Sequence, residues 1–352
     1  MALKLDQVLD PALAGFDTII DVRSPSEFAE DHLPGAINLP VLDDEQRAQV
    51  GTIYKQISPF DARKLGGALV AANAARHISG ALADKPGGWK PLVYCWRGGQ
   101  RSGSFAMILS QIGWRAEKIE GGYKSWRAQV VRRVAELPVL SPVVVIDGNT
   151  GSAKTEILQR LALRGHQVID LEGLAHHRGS LFGGLAGGQP SQKMFEGRLA
   201  AALESLDPAR PVLMEAESSR VGDLSVPRSV WKALITAPRL HLDVPVDERA
   251  RYIARGYGDI AADPAQLAAI IERLRPLHPA ARIGDWFERI DAQDWESLAL
   301  GLMRDHYDPR YNSHRARHDE GRGATVALGG LGDLDAATDA VEAALAAMAR
   351  RS

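Results

Sequence analysis

Short apolar runs alternate with amphipathic segments through the first third of the chain. Buried strands are predicted at residues 18–22 (Thr-Ile-Ile-Asp-Val), 91–95 (Pro-Leu-Val-Tyr-Cys) and 117–119 (Glu-Lys-Ile). Helices are predicted at residues 24–31, 102–112 and 123–137. Strands that alternate with helices predict a parallel sheet with both faces covered, and ligands of such sheets bind at the carboxyl ends of the strands. Cys95 lies at one of these ends.

The same alternation resumes after Pro138 and Pro142, which mark a predicted domain boundary. Further strands are predicted at residues 143–147, 167–170, 211–215, 239–244 and 324–328, followed by an Ala-rich helix at 334–350. A chain of 352 residues fits two domains of ordinary size. We therefore predict α/β domains at residues 1–135 and 136–352, the second with a C-terminal helical extension.

Composition narrows the class of protein only slightly. The chain is 45% hydrophobic and 24% charged, with no apolar run near the length of a membrane span. The first ten residues alternate apolar and charged side chains, unlike a secretory signal, so we expect a cytoplasmic protein without a membrane partner. A net charge of -2 does not indicate a nucleic-acid binder. Basic clusters at 127–133 and 304–318 fit either solvated helix surfaces or phosphate contacts.

The only cysteine stands in a loop suited to anions. A single cysteine excludes an intramolecular disulfide and a Cys-rich metal site. After Cys95 come glycines that let the backbone curl and a helix that presents its positive end. This cradle, which stabilises an anion on the sulfur, comprises Arg97, Gly98, Gly99 and Arg101. Arg101 adds a charge at the rim or braces the loop by pairing with a carboxylate.

Two chemistries use such a loop. A sulfurtransferase carries a persulfide on the cysteine, whereas a cysteine phosphatase carries a phosphate ester and places an arginine six positions later. Cys95 and Arg101 have the phosphatase spacing, but Tyr94 replaces the histidine common in phosphatases. A roomy loop also admits a thio- or selenophosphate. The residues alone predict a reactive, anion-stabilised cysteine and leave its cargo open.

A phosphate-binding loop follows the predicted strand 143–147 and opens an apolar helix. In this Walker A context, backbone amides cradle a diphosphate, Lys154 neutralises it and the Thr155 hydroxyl reaches a magnesium ion. This chain departs from the Walker A pattern at Ala153, where the pattern has glycine. The loop consists of Gly148, Asn149, Thr150, Gly151, Ser152, Ala153, Lys154 and Thr155.

Nucleotide hydrolysis also requires an acidic residue on a neighbouring strand. The candidates are Asp170, Glu215 and Glu217, and none stands out. The loop therefore predicts diphosphate binding more firmly than ATP hydrolysis. His176, His177, Arg178 and Ser180 follow a predicted strand end and either contact substrate or form a polar loop. His314 and His318 have helical metal-ligand spacing, although RNA contact or solvent exposure fits their basic surroundings better.

Three separated motifs resemble the rhodanese family over residues 5–130. They are residues 21–40 (beginning Asp-Val-Arg-Ser-Pro-Ser-Glu-Phe), the Cys95 loop and residues 120–126 (Glu-Gly-Gly-Tyr-Lys-Ser-Trp). The resemblance implies structural roles for Asp21 and Arg23. The predicted fold is thus an N-terminal rhodanese-like domain joined to a C-terminal P-loop NTPase-like domain with a parallel sheet.

The chain also resembles, from end to end, the bacterial tRNA 2-selenouridine synthase family. The segments that carry the likeness are residues 51–56 (Gly-Thr-Ile-Tyr-Lys-Gln), 95–99, 170–180 (Asp-Leu-Glu-Gly-Leu-Ala-His-His-Arg-Gly-Ser), 189–196 and 307–311. The resemblance implies a tRNA partner bound through an anticodon loop with 2-thiouridine, and exchange of that sulfur for selenium from selenophosphate. It further implies an S-geranylated intermediate made from geranyl diphosphate.

On this resemblance Cys95 is catalytic, carrying selenium as an anion. The phosphate loop and magnesium would neutralise the departing pyrophosphate. Asp170, His177, Arg178, Ser180 and Glu215 are candidate substrate contacts. Two rival hypotheses remain: a P-loop kinase or ATPase regulated by a rhodanese-like sensor, and a catalytically idle RNA-binding module.

Overall fold

The structure is a computed structural model, and it describes residues 2–216, 218–256, 264–311 and 323–350. The chain forms two compact units. The first comprises Met1–Leu137 and Pro190–Ser205, and the second comprises Pro138–Gln189 and Leu206–Ser352. The segment 190–205 therefore belongs to the first unit, although we predicted a single second domain from residue 136 onward.

A parallel sheet of five strands organises the first unit. Its strands are β1 (Ala2–Leu3), β2 (Thr18–Asp21), β3 (Ile37–Asn38), β4 (Pro91–Tyr94) and β5 (Glu117–Ile119), in the order β1-β5-β4-β2-β3. The helices of this unit are α1 (Pro25–Glu30), α2 (Asp44–Gln56), α3 (Pro59–Ser79), α4 (Gln100–Ile112), α5 (Gly122–Val131) and α8 (Gln192–Glu204). A π-helical turn at Arg132–Glu136 continues α5, where we predicted one helix throughout.

The core of the first unit surrounds β4, whose residues are all buried. Phe105 and Leu109 of α4 pack in the same cluster as Ile20 of β2 and Val93 of β4. Full burial of a short strand requires helices on its neighbouring faces, as the run of apolar residues predicted. This packing fixes the end of β4, and therefore the position of Cys95.

Helix α8 packs on the first unit although four elements of the second unit precede it in the chain. The backbone N–H groups of Val8 and Leu9 donate to the Glu204 carboxylate at 3.0 and 2.7 Å. Gly197 contacts the Trp126 ring, because a Cβ at this position would lie 3.1 Å from Trp126 Cη2. Arg127 also donates to the Lys193 carbonyl oxygen at 3.0 Å. These contacts make α8 part of the first core.

The second unit has its own parallel sheet of five strands. They are β6 (Val143–Gly148), β7 (Gln167–Ile169), β8 (Val212–Glu215), β11 (Arg239–Asp243) and β12 (Ala324–Ala327), in the order β12-β11-β6-β8-β7. A short antiparallel pair, β9 (Arg220–Val221) and β10 (Leu224–Ser225), stands apart. The fold class predicted from the sequence is confirmed, because both sheets are parallel and helices connect their strands.

Two groups of helices in the second unit pack in separate apolar clusters. The helices whose residues pack with the sheet include α6 (Lys154–Leu163) and α14 (Leu334–Ala349). A separate apolar cluster contains the buried Trp286 and residues of α11 (Pro264–Glu272), α12 (Ala280–Asp291) and α13 (Trp295–Leu302). The remaining helices are α7 (Leu171–Ala175), α9 (Arg228–Thr236) and α10 (Val246–Gly256). Among the described helices, none combines the length and apolarity needed to cross a membrane.

Replacing Gly197 by leucine should destabilise the first unit. The new side chain would collide with the Trp126 ring and the Asp31 carboxylate, so we expect the free energy of unfolding to fall by about 1–3 kcal/mol. The matched control is Gly67→Leu on the exposed side of α3, where a Cβ meets no atom within 4 Å and helix propensity improves. Urea unfolding followed by tryptophan fluorescence compares them, and equal midpoints would contradict the assigned packing of α8.

Candidate functional site

Cys95 lies directly after β4 at the floor of a loop. Cys95 is only 3% exposed and belongs to the core cluster of the first unit. Its Sγ accepts a hydrogen bond from the buried Ser102 hydroxyl at 3.1 Å. A donor to a sulfur favours its anionic form. The thiol therefore sits deeper than a surface nucleophile, and a reaction partner must enter the loop.

The loop above this sulfur exposes a run of backbone donors. The N–H groups of residues 97–102 form no hydrogen bond with an acceptor in the described parts of the chain. The last of them form the first turn of α4, and Gly99 precedes that helix without a side chain that could cap it. Unpaired amides and a helix N-terminus together make a ready site for an anion.

Two glycines allow this loop to lie against the start of α5. Gly98 has φ of +67°, and a Cβ there would lie 2.9 Å from the Ile119 carbonyl oxygen. Gly122 has φ of +59°, and a Cβ there would collide with the Cys95 carbonyl oxygen. The backbone N–H of Tyr123 donates to that same oxygen at 2.8 Å. The close approach fixes the shape of the loop and requires glycine at both positions.

The two arginines of the loop have different environments. Arg101 donates to the Glu27 carboxylate at 2.7 Å, so it braces the loop, one of the two roles expected for it. Burial alone would raise the pKa of Glu27, but hydrogen bonding and the charge of Arg101, aided by Arg47, hold that pKa below its ordinary value. Arg97 is exposed. It is thus the loop arginine placed to meet an incoming anion.

A buried ion pair supports the loop from behind. Arg23 is 1% exposed, donates to Asp21 at 2.6 Å and lies 4.0 Å above the centre of the Tyr123 ring. The Tyr123 hydroxyl donates to Asp31 at 2.7 Å. Because Tyr123 also holds the Cys95 carbonyl oxygen, this pair positions the loop without facing it. The structural roles inferred for Asp21 and Arg23 agree with this geometry.

The second candidate site is the phosphate loop between β6 and α6. The N–H groups of Thr150, Gly151, Ala153, Lys154 and Thr155 have no acceptor among the described residues. The side-chain oxygens of Thr150 and Ser152 are buried and also lack a partner there. The Lys154 ammonium group donates to the Gly148 carbonyl oxygen at 2.8 Å. All of these groups can donate hydrogen bonds to a bound diphosphate.

Ala153 explains why the Walker A pattern has glycine at this position. The residue has φ of +57°, in the left-handed region that costs an L-residue about 1–2 kcal/mol. Its methyl group is 4% exposed and packs with Ile157, Leu158 and Leu242. Burial of that methyl contributes about 0.8 kcal/mol and offsets part of the strain. The loop therefore keeps its conformation without the glycine.

Glu172 is the carboxylate that contacts Thr155 of the phosphate loop, and it was not among the acidic residues predicted from the sequence. The Thr155 hydroxyl donates to the Glu172 carboxylate at 3.0 Å. The Glu172 N–H donates to Glu215 at 2.6 Å. Burial, reinforced by the nearby carboxylates of Asp170 and Glu172, raises the pKa of Glu215 well above its ordinary value. Glu215 is therefore a buried support of the Glu172 backbone, while Asp170 caps α7 through the Gly173 N–H at 2.6 Å.

A cleft of about 270 Å³ opens over the phosphate loop. Asp170, His177, Arg178 and Ser180, four of the five predicted substrate contacts, line this cleft, whereas Glu215 does not. Tyr252 and Tyr311 also line it. Burial lowers the pKa of His177 below its ordinary value. Its Nδ1 accepts from the Gly179 N–H at 3.1 Å, which assigns the proton of the neutral ring to Nε2.

Arg249 ties the phosphate loop to the helical part of the unit. Its guanidinium donates to the Thr150 carbonyl oxygen at 3.0 Å and to Asp308 at 2.7 Å, and the residue is 4% exposed. The basic cluster at 127–133 is also used structurally, since Arg127 pairs with Glu196 and Arg133 donates to the Leu203 carbonyl oxygen. Glu217, His314 and His318 lie outside the described residues. Within the described ranges no metal-binding group of three or more His, Cys, Asp or Glu occurs.

These sites define a rhodanese-like domain joined to a P-loop domain, and comparisons agree. A rhodanese-like domain model matches residues 5–129, and a model described as the tRNA 2-selenouridine synthase AAA domain matches residues 141–272. A tRNA 2-selenouridine synthase of Chromohalobacter salexigens is 35% identical, with 83% of this chain and 86% of that protein aligned. The chain belongs to the tRNA 2-selenouridine synthase family.

Other relatives match shorter stretches. The tRNA 2-selenouridine synthase of Aeromonas salmonicida is 38% identical over 68% of this chain and 64% of its own length. Among solved structures, the N-terminal domain of a putative ATP/GTP binding protein from Clostridium difficile is 33% identical. That likeness covers 37% of this chain and 99% of the other, with a TM-score of 0.32.

Removing the Ser102 hydroxyl should slow alkylation of Cys95. A hydrogen bond to a charged group contributes about 1.5–3 kcal/mol, so the rate of reaction with iodoacetamide at pH 7 should fall by about tenfold or more in Ser102→Ala. Because the chain has one cysteine, mass spectrometry reports this rate directly. The control is Ser110→Ala, on the exposed side of the same helix. An unchanged rate in Ser102→Ala would show that the contact does not stabilise the thiolate.

Glycine should be tolerated at position 153 better than at an ordinary helical alanine. Relief of the positive φ offsets the lost methyl, so Ala153→Gly should change the free energy of unfolding by less than about 1 kcal/mol. Ala343→Gly, on the exposed side of α14, should lose about 1 kcal/mol. Thermal unfolding compares the two. A larger loss for Ala153→Gly than for Ala343→Gly would contradict the strain at Ala153.

Proposed function

We propose that this protein modifies the wobble uridine of tRNA, replacing the sulfur of 2-thiouridine by selenium. One observation carries the proposal. A single chain holds two loops of unpaired amides, one against its only cysteine and one beside Lys154. Membership of the family and the names of the relatives support a tRNA substrate. An anticodon loop carrying 2-thiouridine, in the cytoplasm, is the proposed partner.

The first proposed step is S-geranylation from geranyl diphosphate at the phosphate loop. The sulfur of 2-thiouridine forms a bond to C1 of the geranyl group, the C1–O bond breaks, and pyrophosphate leaves with the electron pair. The N3 proton of the base is released. Lys154 and the unpaired amides of Thr150, Gly151, Ala153, Lys154 and Thr155 are placed to neutralise the pyrophosphate.

Magnesium suits this step on the chemistry of the donors present. The Thr155 hydroxyl and the Glu172 carboxylate lie 3.0 Å apart, and Mg²⁺ prefers one or two protein oxygens together with substrate phosphates. Thr155 and Glu172 would hold the ion, which would supply positive charge for the leaving group. The protein's own part is to place these oxygens beside the amide cradle.

The second proposed step places selenium at C2 of the alkylated base. A thiocarbonyl sulfur is a poor leaving group, whereas an S-geranyl group departs as a thiolate. Selenophosphate, bound in the amide-lined loop against Cys95, forms the C2–Se bond while the C2–S bond breaks. The geranyl thiolate takes the electron pair, and water then releases phosphate from selenium. No external oxidant or reductant is required.

Variants of the two loops should separate the two steps. With 2-thiouridine tRNA, geranyl diphosphate, magnesium and selenophosphate, Cys95→Ala should accumulate S-geranylated tRNA without 2-selenouridine, because the sulfur against which selenophosphate is positioned is lost. Lys154→Ala should lose at least about 90% of geranylation, since it removes a charge-assisted contact to the leaving group, yet still convert tRNA that is already geranylated. Nucleoside mass spectrometry measures all three nucleosides.

Lys232→Ala on the exposed side of α9 is the control and should behave as the unaltered protein. Full selenium incorporation by Cys95→Ala would contradict the role of the cysteine. Steady ATP turnover that disappears in Lys154→Ala, without any change in tRNA, would instead favour a P-loop kinase or ATPase.

A further inference from the structure

An apolar cavity lies directly beside the phosphate loop in the second unit. Its walls include Phe182, Leu267, Leu298, Leu302 and Met303. The space open to the centre of a water molecule is about 70 Å³, room for roughly five to seven waters and therefore for a short hydrocarbon chain. None of these side chains takes part in the steps derived above.

This cavity adjoins the cleft over the phosphate loop. Thr150, Ser180 and Ile253 line both spaces. Gly151 marks the point of contact: a Cβ added there would lie 2.8 Å from Met303 Cε and 3.0 Å from Ile253 Cγ1. The apolar wall therefore reaches the backbone that cradles a diphosphate. The residues shared by the two linings put the apolar wall within reach of a chain attached to a phosphate in the cradle.

One polar group at this junction lacks a partner. The Thr150 residue is 8% exposed, and its hydroxyl oxygen has no hydrogen-bond partner among the described residues. A buried polar group without a partner is costly, and ligand atoms commonly satisfy such groups. Because Thr150 lines both the cleft and the cavity, a phosphate ester that spans the two spaces would bring an oxygen to this residue.

We infer that this cavity seats the hydrocarbon part of a diphosphate ester whose head group occupies the phosphate loop. The inference rests on the proposed function and deepens it, because it assigns the residues that select the organic group. The sugar and base of a nucleotide would leave several polar groups unpaired against leucine, phenylalanine and methionine. A branched alkyl chain has no polar groups to leave unpaired there, and its transfer out of water lowers the free energy of binding.

The walls of the cavity then act as determinants of chain length. Leu267 and Leu298 are each 4% exposed and come from α11 and α13, whose packing is fixed by the apolar cluster around Trp286. Ala254 and Ala299 are the smallest residues of the lining. Enlarging either one fills space that the chain would occupy, while the phosphate loop keeps its own residues.

Calorimetric titration of the full chain with magnesium tests this assignment. The probes are inorganic pyrophosphate, dimethylallyl diphosphate and geranyl diphosphate. We expect affinity to rise along this series, by at least about tenfold between the two esters, because each buried methylene favours binding. Ala299→Leu should weaken geranyl diphosphate binding by about tenfold or more and leave pyrophosphate binding within about twofold.

Two controls keep the result interpretable. Ala269→Leu adds the same side chain on the exposed side of α11 and should change nothing. If Ala299→Leu does not fold, Ala254→Leu fills the same cavity from α10. In either variant, retained binding of pyrophosphate shows that the phosphate loop is intact. Equal affinities for pyrophosphate and both esters, or full geranyl diphosphate binding by a folded filled variant, would overturn the inference.

Failure of the proposed function gives a different result. Selenium transfer to tRNA that is already S-geranylated does not need the cavity to hold a prenyl diphosphate. If the unaltered protein does not transfer selenium to S-geranylated tRNA, the selenium-transfer step is refuted, whatever the titrations show. Conversely, retained selenium transfer together with chain-independent binding would refute only the seat assigned to the hydrocarbon.

Discussion

Backbone N–H groups without protein partners are the feature on which both sites depend. Backbone N–H groups that lack a protein acceptor are left to water or a ligand, and a run of them at the end of a strand forms a site for an anion. Residues 97–102 form such a run after β4, and residues 150–155 contain a second after β6. Each run faces the carboxyl edge of a parallel sheet, where an entering helix adds its positive end.

Rigid supports keep these amides in place before any ligand arrives. Behind the Cys95 loop, the buried Arg23–Asp21 pair and the Tyr123 ring hold the backbone that contacts the loop. Behind the phosphate loop, Arg249 bridges the Thr150 carbonyl oxygen and Asp308. A cradle that is already organised does not need to reorganise when charge develops in the reaction. Such preorganised donors are the main source of electrostatic stabilisation in active sites.

Patterns of local sequence predicted the sheets and both loops, because strand periodicity, glycines and helix starts are local properties. They did not predict that α8 joins the first unit, since its docking depends on contacts between residues far apart in sequence, Glu204 with Val8 and Gly197 with Trp126. Glu172 was missed for a similar reason: its contact with Thr155 appears only when α7 folds against the phosphate loop. The depth of Cys95 likewise depends on packing around β4, and the apolar cavity on helices that carry no motif.

Protection of Cys95 by an oxyanion tests the central claim most directly. The rate of alkylation of this single thiol by iodoacetamide should fall saturably as selenophosphate, or its stable analogue thiophosphate, is added at constant ionic strength. Chloride at the same ionic strength should give no protection. An alkylation rate that does not respond to either tetrahedral anion would contradict an anion-binding loop around the sulfur.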